Sequence, residues 1–97
     1  MAWQIKVIVE LKAKPGRRDE LRDLIQQLAA SERPGGYFGS MYFESLDDPD
    51  LLIDIADWES PEARTKHLEK SLAAGTYGPV LELLSAPFRA VVIRQLP

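Results

Sequence analysis

Ten residues in the second half of the chain, WESPEARTKH (58–67), contain two side chains that could do chemistry. Trp58 offers a flat aromatic surface. His67, the one histidine in 97 residues, has an ordinary pKa suited to proton transfer. Asp54 stands four residues before the tryptophan, and in a strand the period of two puts Asp54, Ala56 and Trp58 on one face. An aspartate there could act as a base if burial raised its pKa, or could pair with a nearby arginine or lysine. Trp58 either walls a pocket or fills the core beside the following helix. A helical wheel sets His67 off the apolar stripe, at a pocket rim or on a solvated surface. Tyr37, Tyr42 and Tyr77 could offer hydroxyls to an anionic oxygen, or pack with those hydroxyls at the surface. Arg89 and Arg94 could stabilise an anion, or serve ion pairs on a strand.

Other chemistries find little support. There is no cysteine, hence no disulfide and no thiolate metal site, and one histidine among scattered acids lacks metal-ligand spacing. No glycine-rich loop leads from a strand into a helix; Pro34-Gly35-Gly36 leads into a strand, the wrong context for a phosphate site. Fifteen acids against twelve bases, with no basic cluster among aromatics, argue against nucleic acid. No segment approaches the ~20 apolar residues of a membrane span, and the start of the chain lacks a charged leader. A cytoplasmic protein, with no metal and no cofactor, is the expectation.

The elements that must position these residues follow from periodicity. Residues 3–11 alternate, with Trp3, Ile5, Val7, Val9 and Leu11 on one side and Ile8 the exception on the other; this predicts a strand, stopped by Lys14-Pro15-Gly16. Leu21, Leu24, Ile25, Leu28 and Ala29 form one stripe of a helix over 17–31, with Asp19 and Glu20 at its positive end. Residues 37–45 and 51–57 read as strands around the turn at Asp47-Asp48-Pro49-Asp50. Ser60 is an N-cap and Pro61 a first helical residue, opening a helix to about residue 72 with a stripe of Pro61, Leu68 and Leu72. Gly78-Pro79 starts a short helix carrying Val80, Leu83 and Leu84, and 88–96 is the fourth strand. The order is βαββαβ, an α+β ferredoxin-like plan with a four-stranded antiparallel sheet, in one domain over 1–97.

Helices in this plan cover one face of the sheet only. Strands two, three and four carry apolar side chains on both faces, so the second face needs a cover, and a homodimer with its sheets face to face supplies one. Lys6 and Glu10 would then face the partner, pairing across the interface or contacting water.

With these residues in view, the chain resembles the antibiotic biosynthesis monooxygenase family over nearly its full length. The likeness rests on a strand running into Lys14-Pro15-Gly16, on Glu20-Leu21, on Pro34-Gly35 and Asp47-Asp48-Pro49 flanking strand two, and above all on Trp58-Glu59-Ser60-Pro61-Glu62-Ala63 with His67 four residues on. It implies a dimeric α/β barrel. It implies oxygenation of phenolic or quinol-like polycycles without metal or flavin; other members break down haem, act on small signalling molecules or have no known activity. In the quinone-forming members Trp58's counterpart lies on the pocket wall with an amide four residues earlier, where this chain has Asp54. A family arginine between the second and third helices has no counterpart here, and the strand-one asparagine of the haem-degrading branch is absent.

These readings give a cofactor-independent monooxygenase acting on an aromatic or quinol-type small molecule. Asp54, Trp58 and His67 would be catalytic, and Tyr37, Tyr42, Tyr77 and Arg89 would bind substrate. The alternative is a non-catalytic dimeric small-molecule binding or accessory protein of the same fold.

Overall fold

The computed structural model describes residues 4–97; Trp3, assigned above to the first strand, lies outside the described residues. The elements run β1 (Ile5–Lys12), α1 (Arg18–Glu32), β2 (Tyr37–Glu44), β3 (Leu51–Trp58), α2 (Pro61–Ala73), α3 (Gly78–Glu82) and β4 (Arg89–Ile93). The sheet order is β2-β3-β1-β4, and all three pairings are antiparallel. This is the expected α+β ferredoxin-like plan, with the second crossover split into two helices.

Local chemistry sets the element ends. The Ser60 hydroxyl accepts from the Ala63 N–H at 3.1 Å and Pro61 follows, so α2 starts where the sequence places it. Helix α1 ends at Arg33, a non-glycine in the left-handed region (φ 37°), and Pro34 forbids another turn. Gly36 is needed twice over: its φ is +83°, and a Cβ there would come within 2.8 Å of the Ala63 Cβ. Strand β4 is shorter than its apolar pattern predicts, ending at Ile93, the residue opposite Lys6.

The stripe of α2 is also not the predicted one. Pro61 is exposed and Leu72 is 55% exposed, whereas Ser71 is buried and Ala63, Arg64, His67 and Leu68 turn towards the sheet. Spacing of i, i+4, i+8 makes Ala63, His67 and Ser71 one face. An apolar-stripe reading misses that face because half of it is polar.

Between helices and sheet lie two adjoining clusters. Leu11, Ala13, Leu21, Leu52, Val80, Leu83 and Leu84 close one end; Ile5, Val7, Ala56 and Trp58 form the other, and Val9 touches both. A main-chain clasp ties α3 to the end of β1: Lys14 N–H to Leu83 O at 2.8 Å and Ser85 N–H to Lys12 O at 2.9 Å.

The opposite face of the sheet carries no helix. The pairing register places Ile8, Met41, Phe43, Ile53, Ile55, Val91 and Ile93 on it, with Met41 62% and Phe43 43% exposed. Lys6 and Asp57, opposite each other in register, are bridged there at 2.6 Å. Lys6 thus has a partner within its own chain.

Candidate functional site

The clusters do not fill the space between sheet and helices. A cavity of about 160 Å³ remains, mostly apolar in its lining. Its floor is the covered face of the sheet: Val7, Val9 and Leu11 from β1, Tyr37, Ser40 and Tyr42 from β2, and Asp54, Ala56 and Trp58 from β3. Its roof comes from α1 (Ile25, Leu28, Ala29, Glu32), from α2 (Arg64, His67, Leu68) and from Tyr77 and Val80 beyond it.

Strand alternation explains how β3 delivers Asp54, Ala56 and Trp58 together. It does not explain β2, where Tyr37 and Tyr42 differ by an odd number. A β-bulge between Tyr37 and Gly39, with Gly39 at φ +124°, takes up the extra residue. Tyr37 therefore sits opposite Trp58, Ser40 opposite Ala56 and Tyr42 opposite Asp54, all on the cavity side. The Tyr37 and Ser40 hydroxyls bond to each other.

Asp54 has no cationic partner among the described residues, and its Oδ1 is buried without a hydrogen bond. Burial raises its pKa from an ordinary 3.8 to about 6, against a smaller downward pull from the Ser40 hydroxyl. A carboxylate that titrates so near neutrality, unpaired and aimed into an apolar space, is a competent general base. Its neighbour Tyr42 is pushed up to about 12, by burial first and by the Asp54 charge second, so it stays a neutral hydroxyl donor. Burial likewise raises Tyr37 and Tyr77.

Trp58 is both core and wall. It is 6% exposed, packs on Ile5, Val7 and Ala56, and presents a face to the cavity between two rings. Tyr37 lies 5.1 Å away, centroid to centroid, and His67 5.5 Å away at 34°. His67 is not a solvated surface residue; its side chain is 13% exposed. Its Nε2 lies 3.1 Å from the Tyr77 hydroxyl and its Nδ1 3.9 Å from Glu32 Oε2. Burial lowers its pKa, with Glu32 opposing the shift and Lys70 reinforcing it.

The cavity thus gathers Asp54, Trp58, His67, Tyr37, Tyr42 and Tyr77. Arg89 is outside it. Opposite Glu10 in the register, it lies on the uncovered face, so the expectation that it meets a ligand in this cavity is corrected. Three lining residues went unnoticed in the sequence. Arg64 sits three residues before His67, on the same helical face, and Ser40 was hidden by the bulge. Glu32 is the last residue of α1, one turn past the apolar stripe.

The family model of the antibiotic biosynthesis monooxygenases matches residues 4–74, well over half of the chain. The chain belongs to this family. Solved structures agree on the fold. A candidate antibiotic biosynthesis monooxygenase from Bordetella bronchiseptica superposes with a TM-score of 0.84 at 19% identity, covering 97% of this chain and 98% of that one. The Rv0793 protein of Mycobacterium tuberculosis gives 0.77 at 24% identity, over 97% and 96%. A conserved protein from Methanosarcina mazei Go1 gives 0.80 at 17%, over 98% and 95%. Identities this low establish a shared fold and no shared substrate. No curated protein matches the chain significantly. Among the described residues no helix is long and apolar enough to cross a membrane.

Proposed function

We propose that this protein is a cytoplasmic, homodimeric, cofactor-independent monooxygenase of a small aromatic or quinol-type substrate. The observation that carries the proposal is Asp54: a half-buried carboxylate with no cationic partner among the described residues and one oxygen buried without a hydrogen bond, facing an apolar cavity walled by Trp58, in a chain of the antibiotic biosynthesis monooxygenase family.

The chemistry needs little from the protein beyond this. Asp54 takes the proton of a phenolic hydroxyl, leaving a phenolate. The electron-rich ring gives one electron to dioxygen, and the resulting radical pair joins at a ring carbon as a hydroperoxide. Loss of water from a carbon that still bears hydrogen leaves a carbonyl. One phenol and one dioxygen become one quinone and one water, so the substrate supplies every electron and no separate reductant enters. The flat ring lies along Trp58, Tyr42 donates to the developing oxyanion, and the apolar walls keep water from the reactive intermediates.

The second subunit covers the open face of the sheet, where seven apolar side chains from all four strands have no cover of their own. The test is oxygen uptake on adding hydroquinone-type substrates to metal-stripped protein. Uptake matched one to one by a quinone that has gained one oxygen atom from dioxygen, without hydrogen peroxide, and reduced in Asp54→Asn, is the expected result. Saturable binding across the same panel with no oxygen consumed would instead identify a binding or accessory protein.

A further inference from the structure

At the roof of the cavity, away from Asp54's strand, four polar side chains from three segments converge. Tyr77, which precedes α3, turns its hydroxyl to His67 Nε2 at 3.1 Å. His67 turns Nδ1 to Glu32, at the end of α1, at 3.9 Å. The buried Ser71 hydroxyl donates to the same Glu32 oxygen at 3.4 Å and lies 3.5 Å from Nε2. Exposure increases outward along this row: 13% for the His67 side chain and 32% for Glu32. We propose that Tyr77, His67 and Glu32 form a proton outlet from the cavity, in which Glu32 is the positioning residue that sets the His67 tautomer.

The carboxylate beside Nδ1 holds the ring proton on that nitrogen, because charge and proton attract there. Nε2 is then a bare lone pair, and the Tyr77 O–H donates to it. In that arrangement the Tyr77 oxygen faces the cavity as an acceptor. When a ligand hydroxyl is presented to Tyr77 at the roof, and not to Asp54 on the sheet (a quinol-type ring has a hydroxyl for each), its proton moves to the Tyr77 oxygen as the Tyr77 proton moves to Nε2. One O–H bond breaks on the ligand, Tyr77 is restored, and the products are a bound phenolate and an imidazolium beside Glu32. No electron is transferred and net charge is unchanged. The imidazolium then releases its Nδ1 proton to solvent at the Glu32 end, and once the ligand has left, proton exchange with solvent returns the ring to the Nδ1–H tautomer that Glu32 favours. The other charged groups acting on this row are Lys70 on His67, and Arg64 and Asp54 on Tyr77. Lys70 opposes the imidazolium, so the Glu32 charge is needed to hold it.

The outlet deepens the reading of the site as a phenol-handling cavity and rests on it, but its test does not need oxygen. Nitrogen-15 NMR of the free protein at neutral pH should show His67 as the Nδ1–H tautomer, and Glu32→Gln should populate the other. Four-nitrophenol, whose anion absorbs in the visible, is the ligand probe. At fixed pH its bound anion-to-phenol ratio should drop roughly three- to tenfold in Glu32→Gln and in Tyr77→Phe. A merely structural Glu32 would leave both readouts where they were. An Nε2–H tautomer in the wild type, an unchanged ratio in both variants, or no binding of the probe at millimolar concentration overturns the outlet. A ratio that responds while oxygen uptake is absent keeps the outlet and sinks the oxygenase reading instead.

Discussion

Asp54 and Asp57 stand three residues apart on one strand and meet opposite fates. Asp57 projects from the uncovered face and pairs with Lys6 at 2.6 Å. Asp54 projects into the cavity, unpaired and desolvated, and its pKa climbs to about 6. The two faces they belong to differ in the same way. On the covered face the helices exclude water, so each polar group either finds a protein partner or is left in a charged state it resists. On the open face water is still a partner, and apolar side chains are the groups left uncovered. A β-sheet in this fold therefore separates a covered side, where the proposed chemistry lies, from an open apolar side, where the proposed second subunit would sit, and odd against even numbering along β3 decides which residue faces which.

The largest difference between the faces should appear on truncating a large side chain. Trp58→Ala removes a buried ring from the smaller core cluster and should cost about 3–5 kcal/mol in urea unfolding. Trp58→Phe keeps most of the packing, so it separates folding from catalysis. Retained stability with impaired turnover is the expected outcome for a cavity wall. Phe43→Ala, on the open face, should cost far less at concentrations where the chain is monomeric. Equal costs for Trp58→Ala and Phe43→Ala would erase the distinction.

Next comes the open face. Ile55 lies near the middle of the open face, between Ile8 and Met41 in register. Ile55→Glu places a charge where a second subunit would have to desolvate it. Sedimentation should show the dimer weakened roughly a hundredfold or more, about 2.7 kcal/mol, with oxygen uptake per folded monomer as a second readout. A wild-type chain that sediments as a monomer at micromolar concentration would end the dimer argument outright.

Smaller, and opposite in sign, is the effect of Asp54→Asn. A carboxyl whose folded pKa is raised from 3.8 to about 6 burdens the folded state above about pH 6 and not below 3.8. The variant should be more stable than wild type by about 1–3 kcal/mol at pH 7.5, and the gain should vanish near pH 4. Turnover should fall by roughly a hundredfold or more if Asp54 is the base. His67 contributes the reverse slope: its pKa is lowered on folding, so its contribution is complete above its ordinary 6.5 and is lost as pH falls. Thermal melts from pH 4 to 8 should therefore diverge from wild type at opposite ends of the range, Asp54→Asn gaining stability relative to wild type as pH rises and His67→Gln as pH falls.

The sequence disclosed the fold more fully than the site, for a physical reason. Alternation in Ile5–Leu11, the Leu21–Ala29 stripe and the Ser60-Pro61 cap are each the product of local forces, so they can be read locally. Asp54 and Trp58 came out together because a strand's period is rigid. Arg64, Ser71 and Glu32 did not, since a helix facing a cavity needs no apolar stripe there. The bulge at Gly39 was the deeper miss. Its one signal was a glycine inside an aromatic strand, and a bulge changes the face of every residue before it. Arg89 was misplaced because alternation gives two faces but does not say which of them the helices will cover.

The weakest interaction gives the finest test of the two faces. Lys6 is 56% exposed on the side chain and Asp57 30%, so in an isolated chain their bridge contributes less than about 1 kcal/mol, and salt reduces it further. Under a second subunit the same pair would lose its water. Removing one partner would then leave an uncompensated charge beneath the interface, at a cost of about 3–5 kcal/mol. Lys6→Met should therefore look nearly silent when unfolding is followed in dilute solution and disruptive when it is followed at concentrations that favour association. A cost that does not change with protein concentration means that Asp57 still meets water, and that the open face remains open at the place where a partner would sit.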